Sequence, residues 1–417
     1  MIKLLIVADD FTGALDTAVQ FASSGAKTRV ITEGKYNFKL LDQATEVLVI
    51  NAETRHLPPD QAYKIVFDII QQAIEYDVPH IFKKTDSGLR GNIGSELAAV
   101  LDAAEDKLLH FIPALPKMNR FTEKGMHYID GIEVSESVFG KDPFEPVAES
   151  YIPKLIELQT SIPAISVTKD EDFLDPENSC IVVYDAKTSE DIKEIAMSLH
   201  YKNDLKLIAG CAGLASILPS LLGLTGEKPE SLKEAEKFLV VCGSVNPITQ
   251  SQLDYAERNG FNRIRLAVSE KIDETFYETE IGQKTLNQIH DLIASQKNII
   301  IDSNDLNNSG ETIQYALDHG IPLDTVRERI SHSLGRILKS LIEKGLEATI
   351  MVTGGDTLIG FMKQIEASEL SPQFEIAPGT VLSKLEINEQ VYDVISKSGG
   401  FGSPNLLVEI SNLLNTN

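Results

Sequence analysis

The chain has 417 residues, 42% of them hydrophobic and 24% charged, with a formal net charge of −24 and a pI near 4.7. Such a surface repels nucleic acid and anionic membranes, so neither is an expected partner. Cys180, Cys211 and Cys242 form no CxxC pair and the histidines show no HxxxH or HxH spacing, which argues against a zinc site and fits a cytoplasmic chain with buried thiols.

The first apolar run, Ile2–Val7, is too short for a signal or a membrane span and ends in Asp9-Asp10. It reads as a buried parallel strand leading through Asp9-Asp10-Phe11-Thr12-Gly13 into a helix that stops at Ser24-Gly25. Carboxyl ends of strands are where open α/β sheets place ligands. A helix cap needs one such side chain, and here there are two aspartates. Thr28–Ile31 and Val47–Ile50 are further expected strands, the second ending in Asn51-Ala52-Glu53-Thr54-Arg55. Pro58-Pro59-Asp60 starts a helix to about Tyr76. Ile81–Phe82 then precedes Lys83-Lys84-Thr85-Asp86-Ser87-Gly88-Leu89-Arg90-Gly91-Asn92-Ile93-Gly94, far more chemistry than a strand-to-helix turn requires.

Leu108–Ile112 is a strand ending in Pro113-Ala114-Leu115-Pro116. Residues 114–150 lack periodicity and read as a lid or small hairpins, one of them turning at Asp130-Gly131. Strands are expected at Ile162–Val167, Ile181–Tyr184 and Leu205–Ile208, and helices at 151–159, 189–201 and 211–222. The glycines of Gly210-Cys211-Ala212-Gly213 allow close helix–sheet packing. The charged stretch Gly226–Glu234 has no apolar face and reads as a linker.

A second α/β pattern follows. Phe238–Cys242 is a strand, then Gly243-Ser244-Val245-Asn246-Pro247 opens a helix. Strands near 263–266 and 298–301, helices at 281–295, 310–318 and 323–344, and a strand at Ala348–Val352 come next. The last leads into Thr353-Gly354-Gly355-Asp356-Thr357 and a helix. Val391–Ile395 leads into Lys397-Ser398-Gly399-Gly400-Phe401-Gly402 before a final helix. Glycine-rich turns before helices present backbone N–H groups at a positive helix end, a phosphate cradle. None has the Walker A or GxGxxG spacing. Three such loops in one half favour a nucleotide, and Lys397 is placed to neutralise a terminal phosphate. The first half offers carboxylates and cations suited to a small polyhydroxylated anion: an arginine fork for the carboxylate, aspartates for the hydroxyls. Together the halves fit phosphoryl transfer.

Four segments carry a resemblance over nearly the whole chain: Val7–Ala14, Lys84–Gly94, Thr353–Thr357 and Lys397–Gly402. They resemble the four-carbon acid sugar kinase family, formerly a domain of unknown function. The resemblance implies an N-terminal sugar-acid-binding domain, a C-terminal nucleotide-binding domain, and ATP-dependent phosphorylation of the 4-hydroxyl of D-threonate, D-erythronate or a 3-oxo-tetronate. The Lys-Thr-Asp-Ser…Arg-Gly-Asn form is closer to the threonate and erythronate kinases. Gly88 departs from the family's threonine, and Pro378–Lys384 is a variant of its late Pro-Gly loop.

The expectation is therefore two α/β domains with mostly parallel sheets, 1–224 for the sugar acid and 237–417 for the nucleotide, joined by 225–236, with an interdomain active-site cleft. Expected substrate-binding residues are Asp9, Asp10, Arg55, Lys84, Asp86, Ser87, Arg90, Gly91 and Asn92. Arg90 and Arg55 hold the carboxylate, while Asp86, Asn92 and Asp10 orient the hydroxyls. Ser244, Thr353, Gly354, Gly355, Asp356, Thr357, Lys397, Ser398, Gly399, Gly400 and Gly402 are expected around ATP and its Mg²⁺, with metal ligands unassigned. Asp10 is the first choice of general base and Asp356 its rival, the latter by analogy with ribokinase-like enzymes. A nicotinamide-dependent oxidoreductase and a non-catalytic sugar-acid-binding regulator are the alternative classes. The acid's stereochemistry and the oligomeric state stay open, a homodimer being one option.

Overall fold

The computed structural model describes residues 1–32, 36–40, 42–142, 145–168, 178–306 and 309–415. Residues 143–144 of the long aperiodic segment lie outside the described residues. The chain divides into two compact units, Met1–Pro229 and Glu230–Asn417. No helix among the described residues is long and apolar enough to cross a membrane.

The first unit carries β1 (Leu4–Ala8), β2 (Thr28–Ile31), β3 (Val47–Asn51), β4 (His80–Lys84), β5 (Leu108–Ile112), β6 (Arg120–Glu123), β7 (Met126–Ile129), β8 (Ile132–Glu133), β9 (Ala164–Val167), β10 (Cys180–Tyr184) and β11 (Leu207–Gly210). Its helices are α1 (Phe11–Ala22), α2 (Pro59–Glu75), α3 (Ile93–Ala104), α4 (Ile152–Glu157), α5 (Ser189–Lys202), α6 (Ala212–Ala215) and α7 (Leu218–Leu221). The main sheet has the order β2-β3-β1-β4-β11-β5-β10-β9, and its pairings are parallel. Every residue of β1, β3 and β10 is buried. That is why these strands read as unbroken apolar runs: a parallel sheet is covered on both faces. Amphipathic helices supply the cover, α2 for instance through Ala62, Val66, Ile69, Ile70 and Ala73. From β1 the chain runs through β2 and β3 on one side and then crosses to β4 on the other, so a topological switch point lies at the carboxyl end of β1.

The aperiodic segment forms a three-stranded antiparallel sheet, β6-β7-β8. The expected hairpin is there: Ile129 pairs with Ile132 across Asp130-Gly131, both at positive φ (51° and 79°), as a type I′ turn requires. Lys124-Gly125 makes the preceding turn in the same way. The single helix expected over 211–222 is two short ones, because Pro219 starts a new turn in α7. Gly210 closes β11, and a β-carbon there would lie 2.4 Å from Ile112 O.

The second unit carries β12 (Phe238–Cys242), β13 (Asn262–Arg265), β14 (Asn298–Asp302), β15 (Thr349–Thr353), β16 (Glu369–Ala377), β17 (Thr380–Ile387) and β18 (Gln390–Lys397). Its helices are α8 (Pro247–Arg258), α9 (Val268–Ile272), α10 (Glu280–Ser295), α11 (Glu311–Asp318), α12 (Leu323–Glu343), α13 (Gly355–Gln364) and α14 (Leu406–Asn415). The order is β13-β14-β12-β15-β18-β17-β16. The strands from β13 to β18 pair in parallel, while β17 and β16 add an antiparallel meander to β18.

Candidate active site

In the first unit the polar ends of β1, β3 and β4 meet at the switch point. The backbone carbonyl of Asp9 accepts from Thr54 N (3.0 Å) and Arg55 N (3.2 Å), which draws the loop after β3 onto the loop after β1. Arg55 then spreads over the aspartates. Its Nε donates to Asp9 Oδ2 at 2.7 Å and its Nη1 to Asp10 Oδ2 at 2.8 Å, and Nη2 lies 3.9 Å from Asp86 Oδ1. Gly91 makes room for that side chain: a β-carbon there would lie 3.0 Å from Arg55 Cγ.

Asp10 does two jobs. It is the N-cap of α1, with Oδ1 accepting from Gly13 N at 2.9 Å, and its other oxygen meets Arg55. Its side chain is 29% exposed, against 3% for Asp9 and 10% for Asp86, so it is the most open of the three carboxylates. Burial pushes Asp86 up, but the Arg55 and Arg90 guanidiniums with Lys84 outweigh it and hold the carboxyl well below the usual range. Asp9 is held down likewise against burial, by Arg55, Lys83 and Lys84. Both stay ionised at neutral pH.

Arg90 forks onto Asp86, from Nε at 2.8 Å and Nη2 at 3.2 Å, and reaches Asp142 Oδ2 from Nη1 at 3.4 Å. Both arginines expected to clamp a carboxylate are therefore engaged by aspartates of the chain. Lys83 and Lys84 point to opposite faces of β4, as strand alternation dictates. Lys83 makes a buried ion pair of 2.6 Å with Glu96 of α3. Lys84 Nζ donates to Thr85 O at 2.8 Å and lies 2.6 Å from where a β-carbon on Gly13 would sit, under the start of α1. Asn92 is engaged within the chain through its amide nitrogen. Its Nδ2 donates to Thr54 O and Leu57 O, each at 2.8 Å. Those donors fasten the loop after β3 rather than face a ligand hydroxyl.

Ser87 is held from the β6–β7 hairpin, which sequence reasoning left unassigned. Arg120 Nη1 donates to Ser87 Oγ. His127 Nε2 lies 2.9 Å from Ser87 O and its Nδ1 3.1 Å from Thr122 Oγ1. A carbonyl only accepts, so Nε2 carries the proton and Nδ1 receives the threonine's. Burial pulls this imidazole down to about 4, which keeps it neutral.

In the second unit the three small-residue loops do come together. Cys242 stands opposite Thr353 in register, and Thr353 opposite Lys397. Cross-links tie the loops: Gly354 N to Lys397 O (3.1 Å) and Gly243 N to Thr353 O (3.3 Å), and Thr249 Oγ1 to Gly399 O (2.8 Å). A β-carbon on Gly243 would fall 2.0 Å from Thr357 Oγ1, and one on Gly399 would fall 2.7 Å from Ser244 Oγ. Ser398, Gly400 and Gly402 complete the loop between β18 and α14, where Gln252 Nε2 holds Phe401 O and Ser403 O at 3.0 Å each. Gly355 is the first residue of α13, and Asp356 lies in its first turn, paired with Arg327 on α12.

Lys397, expected to neutralise a terminal phosphate, lies beneath the loop between β18 and α14. It is buried, and its Nζ donates to Thr249 Oγ1 (3.1 Å), Ser398 O (3.0 Å) and Gly399 O (3.4 Å). Burial lowers it to about 8. Asn304, also unassigned, follows β14 and braces the first loop, donating to Ser244 O at 3.2 Å and Asp302 Oδ1 at 2.8 Å. Its signal was available: Asp302-Ser303-Asn304 is one more polar strand end. No group of three or more His, Cys, Asp or Glu among the described residues is arranged to hold a metal.

Comparison with known proteins bears directly on this arrangement. Residues 4–218 match a family model described as a sugar-binding N-terminal domain, and residues 239–407 one described as a nucleotide-binding C-terminal domain. The D-threonate kinase of Salmonella typhimurium is 29% identical over 421 residues, covering 98% of this chain and 97% of that protein. The chain belongs to the four-carbon acid sugar kinase family. Another relative, the D-erythronate kinase of Heliobacterium modesticaldum, is 25% identical and covers 92% of this chain and 90% of its own. A crystal structure from Salmonella typhimurium LT2 matches with a TM-score of 0.82 at 21% identity, over 98% of this chain and 99% of its own, and shows the shared fold. Membership sets the reaction class as phosphoryl transfer, which removes the oxidoreductase and non-catalytic readings. It also gives the two polar clusters different roles. A four-carbon sugar acid kinase needs an acceptor site and a phosphate site, and each unit has one such cluster.

Proposed function

We propose that this chain phosphorylates the 4-hydroxyl of a four-carbon sugar acid with ATP, with D-threonate as its first substrate. The observation that carries the reading is the cluster of Asp9, Asp10, Arg55, Asp86 and Arg90 at the switch point of the first unit's sheet. A small anion bearing several hydroxyls complements alternating carboxylates and guanidiniums. The similarity to a D-threonate kinase along 98% of the chain supports the choice of acid. D-Erythronate is the second reading, favoured by the relative that is 25% identical.

Asp10 is the general base in this account. Its Oδ2 is fixed by Arg55 and its side chain is more open than those of its neighbours, which supports it as acceptor of the proton of an attacking hydroxyl. Asp86, locked by Arg90, orients the remaining hydroxyls. The loops at Gly243–Asn246, Gly354–Thr357 and Ser398–Gly402 receive the ATP phosphates on backbone N–H groups at helix starts. Mg²⁺ usually keeps several waters and needs only one or two protein carboxylates beside the phosphates. Asp356, half-exposed in the first turn of α13, fits that demand. The bound ion would neutralise charge on the transferring group.

Alanine at each carboxylate tests the base. Asp10→Ala is expected to lower kcat by about 10²–10⁴-fold. If Asp10→Ala turns over near the wild-type rate while Asp356→Ala is inactive, the base is Asp356.

A further inference from the structure

Arg120 lies on β6, outside every segment that suggested a kinase. Its Nη1 donates to Ser87 Oγ, and its Cζ stands 4.8 Å from the centroid of the Phe139 ring. Arg90 approaches the same ring, at 5.1 Å. The guanidiniums of the site differ in what they hold. Arg55 is committed to Asp9 and Asp10, and Arg90 to Asp86 and Asp142. Arg120 has no carboxylate within ion-pair distance among the described residues, and its Nε and Nη2 have no partner there. It is half-buried, and burial pulls its pKa down against the raising effect of the more distant Asp86 and Asp130. A part-desolvated cation in no direct ion pair is costly, and an arriving anion reduces that cost.

We propose that Arg120 takes the carboxylate of the substrate, with Ser87 and the Phe139 ring holding its guanidinium in place. This rests on the reading of the first unit's ligand as a sugar acid. It moves the carboxylate clamp from Arg55 and Arg90 to the hairpin. Aspartate-bound forks hold Arg55 and Arg90 in place, whereas Arg120 keeps Nε and Nη2 without a partner among the described residues, donors that a planar anion can use. The hairpin itself is firmly set: Thr122 and Ala186 exchange backbone hydrogen bonds of 3.0 Å, and Ile152 N donates to Gly125 O at 2.9 Å.

The test is calorimetric titration of the full chain with D-threonate and D-erythronate, alongside ADP release with ATP. Arg120→Gln is expected to weaken tetronate binding by about 10–100-fold, the usual worth of charged hydrogen bonds. Arg120→Lys keeps the charge, loses the fork, and is expected to fall between. Arg120→Ala is expected to regain tetronate affinity when guanidinium ion is added, a rescue that a merely structural role would not show. Wild-type affinity in Arg120→Gln, or no rescue of Arg120→Ala, overturns the proposal. So does a wild-type chain that binds no tetronate. A wild-type chain that binds tetronate through Arg120 without releasing ADP upholds the proposal and retires the kinase reading instead.

Discussion

The Phe139 ring occupies the place where a side chain on Gly88 would begin: a β-carbon there would lie 2.6 Å from Phe139 Cδ1. The resemblance implies a threonine where this chain has Gly88, and the ring gives the glycine a physical cause. Phe139 fills the volume that a threonine would take and uses it to meet Arg90 and Arg120. Gly88→Thr is expected to destabilise the chain by about 1–3 kcal/mol through overpacking. Phe139→Ala should relieve much of that in the double variant, with a coupling of about 0.5–3 kcal/mol. Urea unfolding of the four proteins measures it; strict additivity would mean that the ring and residue 88 do not compete.

Lys397 gives nucleotide binding a pH signature. Its pKa is about 8 in the folded chain, where burial disfavours the charged form. A phosphate brought to the neighbouring loop favours the ammonium and raises that value. ATP binding at pH 9 should therefore take up a proton, up to about one per site, and affinity should fall as pH rises above about 8. Calorimetry in two buffers of different ionisation enthalpy reads the uptake. Lys397→Met should abolish it; an unchanged uptake in that variant would assign the proton elsewhere.

Two buried histidines make the first unit acid-sensitive. Burial lowers His127 and His110 to about 4 from the ordinary 6.5. Between those values the unfolded chain binds more protons than the folded one, so stability falls as pH drops from about 6.5 to about 4. Each histidine contributes up to about 3 kcal/mol across that window. Glu96, raised above its usual value chiefly by burial, works in the opposite sense and offsets part of the slope. Urea midpoints at intervals from pH 7 to pH 4.5 should decline, and a flat profile would contradict the neutral assignment of the two rings.

Much of the acceptor site was legible because each polar run follows an apolar strand directly, so Asp9, Arg55 and Asp86 could be placed at strand ends from order alone. Their roles were less legible. Asn92 is read as a ligand contact until its partners, Thr54 and Leu57, are known, and those lie more than thirty residues away in sequence. Arg120 and His127 were hidden for the same reason, inside a segment whose periodicity is broken by two-residue turns. The strand β16 was missed because bulges between Pro372 and Phe374 and between Glu375 and Ala377 interrupt its alternation, and its partner β17 was missed with it. Lys397 next to two glycines looked like a phosphate-facing cation, and only the fold shows its Nζ turned under the loop.

The most direct measurement is phosphorus and proton NMR of the product after incubation with ATP, Mg²⁺ and each tetronate stereoisomer in turn. The account predicts ADP and a single phosphomonoester on the 4-hydroxyl, formed fastest from D-threonate, and formed about 10²–10⁴-fold more slowly with Asp10→Ala. ADP formation without a tetronate 4-phosphate, or a phosphate on another hydroxyl, would contradict it.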